Sequence, residues 1–276
     1  MTGEQIEPDH DGPVGAMSSS LAGQVALVTG ASRGVGRGIA QALGAAGATV
    51  YVTGRSMDHA SATVPLPGTV RETAELVTDA GGEGIAVECD HSDDEQTEAV
   101  FKLIDRNHGR VDVLVNNAWS GYQAKQRSRR SGFRTPFWKM PPAFWDSMNG
   151  VGVRSTYVAS VHAARRMVPH RRGLIVQLSV ALEGPADNVA YGAAKSAVNR
   201  MAYDMGGELR EHNIAVVALC PGLVATEMMM AHRKSQQLLP WMETPSSVGR
   251  AVLTLAADPR KSLRMSGQVI HTRELD

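Results

Sequence analysis

The sequence predicts an α/β fold: a doubly wound parallel sheet of seven strands with helices on both faces, in a single domain. Three observations carry this. Short β-branched apolar runs alternate with segments of helical period along almost all of the 276 residues, and repeated strand–helix alternation closes into a parallel sheet through right-handed crossovers. The strand-like runs are nearly continuously apolar, as strands covered on both faces must be. No internal repeat, linker or composition break interrupts the pattern after residue 21.

The elements follow in order. Gln24–Thr29, QVALVT, is the first strand, and Val35–Gly47 has helical spacing that ends in a glycine stop. Ala48–Thr53 is the second strand. A helix over 69–80 and a strand over 84–89 come next, then a helix over 94–106 and the strand VDVLVN over 111–116. After an insert, one helix is predicted over 143–167. The strand GLIVQLS, a helix around Tyr191, the strand IAVVALC and a last strand over Gly267–Thr272 complete the set. Residues 1–20 hold four acids, no Lys or Arg and no apolar stretch. They predict a disordered N-terminal extension, not a secretory signal, ahead of a domain over 21–276.

Bulk properties narrow the function. Hydrophobic side chains make up 43% of the chain, enough for a substantial core. Lys plus Arg and Asp plus Glu both number 28, so no whole-molecule field draws in nucleic acid or an anionic membrane. Cys89 and Cys220 each stand alone, which gives neither a disulfide framework nor a CxxC metal spacing. His91, His108, His162, His170, His212 and His232 show no ligand spacing, so no metal is expected. No apolar run reaches the ~18 residues of a membrane span, and a cytoplasmic location is expected.

The first strand runs into TGASRGVGRG, Thr29–Gly38. Glycines at 30, 34 and 36 allow a tight turn and close approach of a ligand, and the following helix offers free N–H groups to a phosphate. The spacing is not G-x-G-x-x-G, because position 39 is Ile. Its place between the first strand and first helix still marks a Rossmann-type dinucleotide site. The second strand ends in VTGRS, with Gly54 and Arg55 where NAD-binding folds carry an acid for the ribose 2′-hydroxyl. Arg55, with Arg33 in the glycine turn, suits a 2′-phosphate. NADP(H) is therefore expected over NAD(H).

In AYGAAK, Ala190–Lys195, a phenol precedes an ammonium by four residues with only small residues between them. On a helix the two share one face. A cation beside a phenol favours the phenolate, one way to make a tyrosine an acid–base group near neutral pH.

TGASRGVG, Cys89–Asp90, NNA at Asn116–Ala118, Asn149, Ser179, YGAAK and CPGLVAT at Cys220–Thr226 occur in the order seen in the short-chain dehydrogenase/reductase family. The resemblance spans about residues 21–272. The segment FWKMPPAFWDSMNGVGVRSTY is similar to a subgroup of that family typified by a mammalian dehydrogenase/reductase. The resemblance implies that Tyr191 is the general acid in reduction and the base in oxidation. It implies that Lys195 tunes the tyrosine and holds the nicotinamide ribose, and that Ser179 bonds the substrate oxygen. Asn149 would hold a water that links Lys195 to solvent. For the cofactor it implies Gly30, Ser32, Arg33, Gly34, Val35 and Gly36 in the turn and Asp90 and His91 by the adenine. It adds Asn117 and Ala118 by its ribose, and Pro221, Gly222, Val224 and Thr226 around the nicotinamide. A homodimer or homotetramer is also implied, with Val153, Tyr157, Val161 and Ala164 a candidate face.

Two departures stand out. Trp119 replaces the glycine of the usual NNAG, which narrows the space near the nicotinamide. The usual serine pair reads LSV, so the substrate-binding position falls on Ser179 or on Val180, and Ser179 is the only hydroxyl between 179 and Tyr191.

Two segments, 120–142 and 226–245, are placed to cover the site. They carry Phe133, Phe137, Trp138, Met228, Met229, Met230, Leu238, Leu239, Trp241 and Met242, and apolar lids suit lipophilic ligands. The expected substrate is a lipophilic carbonyl or alcohol of steroid, terpenoid or aromatic-ketone type. Lys125, Arg127, Arg129, Arg130 and Arg134 make the first segment basic. A solvated loop explains them, and an acyl-carrier or coenzyme A thioester substrate is the alternative. A non-catalytic NADP(H)-binding sensor is the third reading, disfavoured because a sensor has no need of a tuned phenol.

Overall fold

The computed structural model describes residues 20–62, 64–121, 135–182, 184, 186, 188–231, 237 and 239–275. Residues 1–19 of the expected extension lie outside this set. Within it, β1 (Val25–Val28), β2 (Thr49–Gly54), β3 (Glu83–Glu88), β4 (Val113–Asn116), β5 (Gly173–Leu178), β6 (Ile214–Cys220) and β7 (Val269–His271) form one all-parallel sheet. The order is β3-β2-β1-β4-β5-β6-β7. The chain starts mid-sheet, walks outward to β3, then returns to lay β4 on the other side of β1. The winding direction therefore reverses between β1 and β4, and a ligand crevice forms beyond the carboxyl ends of those strands.

The apolar runs explain the layering. Successive strand residues face opposite sides. Ala26 and Val28 pack with Ile39, Val50, Val217 and Val252, while Val25 and Leu27 pack with Phe101, Leu114 and Met167 on the other face. The two edge strands depart most from full burial, with Glu83 and Glu88 exposed in β3 and Val269 in β7.

Helices α1 (Gly34–Ala45), α2 (Val70–Asp79) and α3 (Asp94–His108) follow the first three strands. Thr69 and Glu72 close a capping box on α2, and Asp93 caps α3. The helix expected over 143–167 runs unbroken through Pro142–Asn149, a π turn at Gly150–Arg154 and Ser155–His170. No Pro stands at Gly150–Arg154 to break the helical run, so the linear sequence does not mark the π turn. No helix among the described residues is long and apolar enough to cross a membrane.

Helix α1 packs closely on the Pro245–Ala257 helix, because a Cβ at Gly38 would collide with the Pro245 carbonyl. Gly38→Ala gains helix propensity worth about 1 kcal/mol, yet overpacking of this kind costs about 1–3 kcal/mol. We expect a net loss of stability, read as a lower urea midpoint at unchanged slope. A midpoint at or above that of the wild type would show that the two helices can separate freely.

Candidate active site

The glycine turn is built by contacts between two strand ends. After β1 the chain takes positive φ at Gly30 (+63°) and Gly34 (+57°), where glycine has no steric penalty. A Cβ at Gly30 would sit 2.7 Å from Ala118 Cα, so the turn lies directly against the end of β4. Asn117 holds it there. Its Nδ2 donates to the carbonyls of Thr29 and Gly30, each at 2.9 Å. The backbone N–H groups of Asn117 and Ala118 both donate to Thr29 Oγ1, at 2.9 and 3.0 Å. Gly36 is packed in the same knot: a Cβ there would come 2.5 Å from Asn117 Nδ2.

A cavity of about 290 Å³ opens beyond these strand ends. Gly30, Ser32, Arg33, Gly34 and Val35 line it from the turn, and Arg55, Asp90 and His91 from the ends of β2 and β3. Asn117 and Ala118 line it from the end of β4. Ser179, Tyr191, Lys195, Pro221 and Thr226 line the far part. Four expected residues are not in the lining. Gly36 is buried in the first turn of α1. Gly222 donates its N–H to Glu243 Oε1 at 2.6 Å. Val224 is buried and bridges to Glu243. Asn149, where the helix passes into the π turn, donates from Nδ2 to the Trp145 carbonyl at 2.9 Å.

At the β2 end, Arg55 Nη1 is 3.9 Å from Asp90 Oδ2. Partial burial pushes the Asp90 pKa up, but hydrogen bonds from Ser92 and the charge of Arg55 outweigh it and hold the group below the usual carboxylate range. Arg33 is turned onto the neighbouring loop, donating to the carbonyls of Pro67 (3.1 Å) and Gly68 (2.7 Å). Burial lowers its pKa, opposed by Glu227 and reinforced by Arg37 and Arg55. The His91 ring is engaged by Thr53 Oγ1 at 2.8 Å, and burial pushes it down to about 4, so it is neutral at pH 7.

The other end is organised by the Val189–Leu209 helix. Asn188 caps it, its Oδ1 accepting from the Tyr191 N–H at 3.1 Å. One turn on, Lys195 Nζ lies 5.9 Å from the Tyr191 ring centroid and donates to the Leu178 carbonyl at 2.7 Å. Burial pushes Lys195 down to about 8, with Cys220 opposing weakly. The Ser179 N–H donates to the Leu219 carbonyl at 2.8 Å, and its Oγ lies 3.3 Å from the Lys195 carbonyl. Val180 is not in the cavity wall, and its carbonyl accepts from Asn199 Nδ2 at 3.1 Å. Trp119 stands edge-on to Tyr191, centroids 5.8 Å apart and planes at 69°.

Several lining residues escape the sequence reading. Glu227 is the most informative. Its Oε2 accepts from the Gly34 N–H at 2.8 Å, and its Oε1 is 3.8 Å from Arg37 Nη1. A carboxylate thus occupies a donor at the N-terminus of α1, where an anion is favoured. Its place directly after Thr226 is the one signal the sequence offers. Val64, Leu66 and Val151 also line the cavity, and nothing in the linear pattern marks them. Of the apolar side chains expected to cover the site, Met228 lines it. Phe137, Trp138 and Trp241 do not, being 63%, 70% and 75% exposed. Phe133, Leu238 and the basic residues Lys125, Arg127, Arg129, Arg130 and Arg134 lie outside the described residues.

The family model described as short chain dehydrogenase matches residues 24–237. This chain belongs to the short-chain dehydrogenase family. Among curated members, this short-chain dehydrogenase is 41% identical to mouse dehydrogenase/reductase SDR family member 1, over 94% of this chain and 82% of that protein. Among solved structures it is similar to a metagenomic short-chain oxidoreductase in complex with NADP, at 30% identity and a TM-score of 0.70, over 91% of this chain and 97% of that one. It is also similar to a 7α-hydroxysteroid dehydrogenase complexed with NADH and 7-oxo glycochenodeoxycholic acid, at 25% identity and a TM-score of 0.77, over 92% and 94%. As a member of this family the protein is an oxidoreductase that uses a nicotinamide cofactor.

Proposed function

We propose that the protein is an NADP(H)-dependent oxidoreductase that interconverts a carbonyl and a secondary alcohol on a lipophilic small molecule, with Tyr191 as the acid–base group. The observation that carries this is the single cavity in which the glycine turn, Arg55, Ser179, Tyr191 and Lys195 meet. The cavity suits a dinucleotide: its glycine turn has no room for a Cβ at Gly30, and its walls are the N-terminus of α1 and the ends of β1, β2 and β4. The cofactor, when bound, supplies or accepts the hydride.

The chain's own residues do the rest. Tyr191 gives its phenolic proton to the nascent alkoxide in reduction and takes it back in oxidation. The Lys195 ammonium makes the phenolate left behind less costly. Ser179 donates to the substrate oxygen as charge develops on it. Asn149, at the π turn, holds a water that returns a proton from solvent by way of Lys195. Gly54 and Arg55 favour the 2′-phosphate, the first by having no carboxylate and the second by its charge. Arg33 lies beside them, tied to the Pro67–Gly68 carbonyls. Val151, Met228 and Trp119 give the substrate part apolar walls, and a lipophilic carbonyl matches them.

The test is oxidation of NADPH and of NADH, in separate assays, across lipophilic ketones, quinones and one 3-oxoacyl thioester. Turnover with NADPH on apolar carbonyls is expected. Tight NADPH binding with no turnover would support the sensor reading instead, and preference for the thioester would support a carrier-linked substrate. We also propose a homo-oligomer that uses the face of the Ser155–His170 helix, where Tyr157 is 54% exposed on the isolated chain.

Glu227 gives a second expectation. A bound phosphate must compete with its carboxylate at the Gly34 N–H. Hydrogen bonds to charged groups contribute about 1.5–3 kcal/mol, so Glu227→Gln should tighten NADPH by about tenfold, measured by fluorescence titration. A weaker complex would mean that Glu227 supports the turn with the cofactor present.

A further inference from the structure

We infer that Trp119 selects the substrate: its indole is a fixed flat wall beside Tyr191 that admits planar aryl carbonyls and turns away puckered polycyclic ketones of steroid size. The inference rests on the carbonyl-reduction reading and specifies which carbonyls fit it. Three observations fix the ring. It meets Tyr191 edge-on at 5.8 Å. A Cβ at Gly121 would collide with the indole, so the glycine two residues on leaves the room the ring occupies. On the other side the π turn approaches, with the position of a Gly152 Cβ 3.6 Å from Trp119 Cδ1. Phe144, Met148, Val153 and Ala190 pack behind Trp119 and Tyr191 as one cluster.

A ring held this way is a preorganised surface, not a mobile filler. It lines the cavity together with Tyr191, Val151 and Met228. The cavity must also take the nicotinamide end of the cofactor. The indole bounds one side of the space left beside Tyr191. A space faced by an indole favours a flat ring that stacks on it or meets it edge-on. A fused, puckered skeleton meets the same indole as an obstruction.

The test compares NADPH-dependent kcat/KM for 1-tetralone and for a 3-oxosteroid in wild type, Trp119→Ala, Trp119→Phe and Gly121→Ala. Wild type should prefer the tetralone, and Trp119→Ala should move the ratio toward the steroid by about tenfold or more. Trp119→Phe keeps a flat wall and should keep the tetralone preference. Gly121→Ala drives the indole out of its seat and should lower the tetralone kcat/KM at least about fivefold. Calorimetric affinities for the two alcohol products should follow the same order. A wild-type preference for the steroid overturns the inference. So does an unchanged ratio in Trp119→Ala protein that still reduces the tetralone, and both results leave carbonyl reduction standing. If Trp119→Ala does not fold, an unaltered profile in Gly121→Ala overturns it equally. Wild-type protein that reduces neither compound removes the underlying reading, and the inference with it.

Discussion

Tyr191→Phe protein is expected to bind NADPH as tightly as wild type and to lose about 10²–10⁴-fold in kcat, the usual worth of a positioned proton donor. The substitution removes one hydroxyl and keeps the ring, so the edge contact with Trp119 and the Asn188 cap on the helix survive. The loss should fall on kcat, because the proton moves only as charge builds on the substrate oxygen. The pH profile gives an independent reading. Lys195 is pushed down to about 8 by burial, so it is cationic below that pH and neutral above it. Reduction by the wild type should therefore decline as pH rises through about 8. The sign for stability is opposite. The unfolded chain holds the Lys195 proton up to about 10.4, so between about 8 and that value the unfolded state binds more protons and folding gains as pH rises. Activity falling while the thermal midpoint holds or climbs over this range would tie the decline to the site and not to unfolding. Retention of most activity in Tyr191→Phe protein would remove the tyrosine from the mechanism.

The sheet was legible in the sequence because burial on both faces writes a continuous apolar run into every central strand. The one edge strand with exposed acids, Glu83–Glu88, is still legible from its centre. The helix carrying Asn149 was legible, but the π turn inside it was not. A π turn adds a residue without a breaker, and Gly150 and Gly152 look like ordinary small residues in a helix. At the cavity, motifs whose spacing is set by local backbone geometry came through: the glycine turn by its strand–helix context, Tyr191 and Lys195 by their one-turn offset. Glu227 did not, since its partner Gly34 is 193 residues away in sequence. Arg33 shows the limit from the other direction. A guanidinium in the right turn suggested a phosphate ligand, yet the chain brings two carbonyls from the Pro67–Gly68 loop to it. The exposed aromatics Phe137, Trp138 and Trp241 were over-read for a similar reason. Apolar composition says that a segment seeks cover, not which surface gives it.

The double variant Gly54→Asp, Arg55→Ala is expected to lower the ratio of NADPH to NADH kcat/KM by about 10²–10⁴-fold. Two separate changes add. Removing the guanidinium takes away charge-assisted hydrogen bonds of about 1.5–3 kcal/mol. Placing a carboxylate at the end of β2 sets an anion against the 2′-phosphate and offers an acceptor to the 2′-hydroxyl of NADH. Each 1.4 kcal/mol is a factor of ten. Arg55 lies 3.9 Å from Asp90, long for a direct hydrogen bond. Position 54 is tighter. A Cβ there would lie 3.2 Å from Val70 Cγ2, so Val70 must yield by a few tenths of an ångström. Gly54→Ala therefore serves as the control: it carries the crowding without the charge and should weaken both cofactors alike. Salt separates the effects again, since the NADPH preference of the wild type should shrink as ionic strength screens Arg55. A ratio that stays within about twofold of wild type in the double variant, while Gly54→Ala behaves as described, would mean that the 2′-position is read elsewhere. The arginine in the glycine turn would then be the group to test, because release of Arg33 from the Pro67 and Gly68 carbonyls is the remaining route to a cation at that ribose.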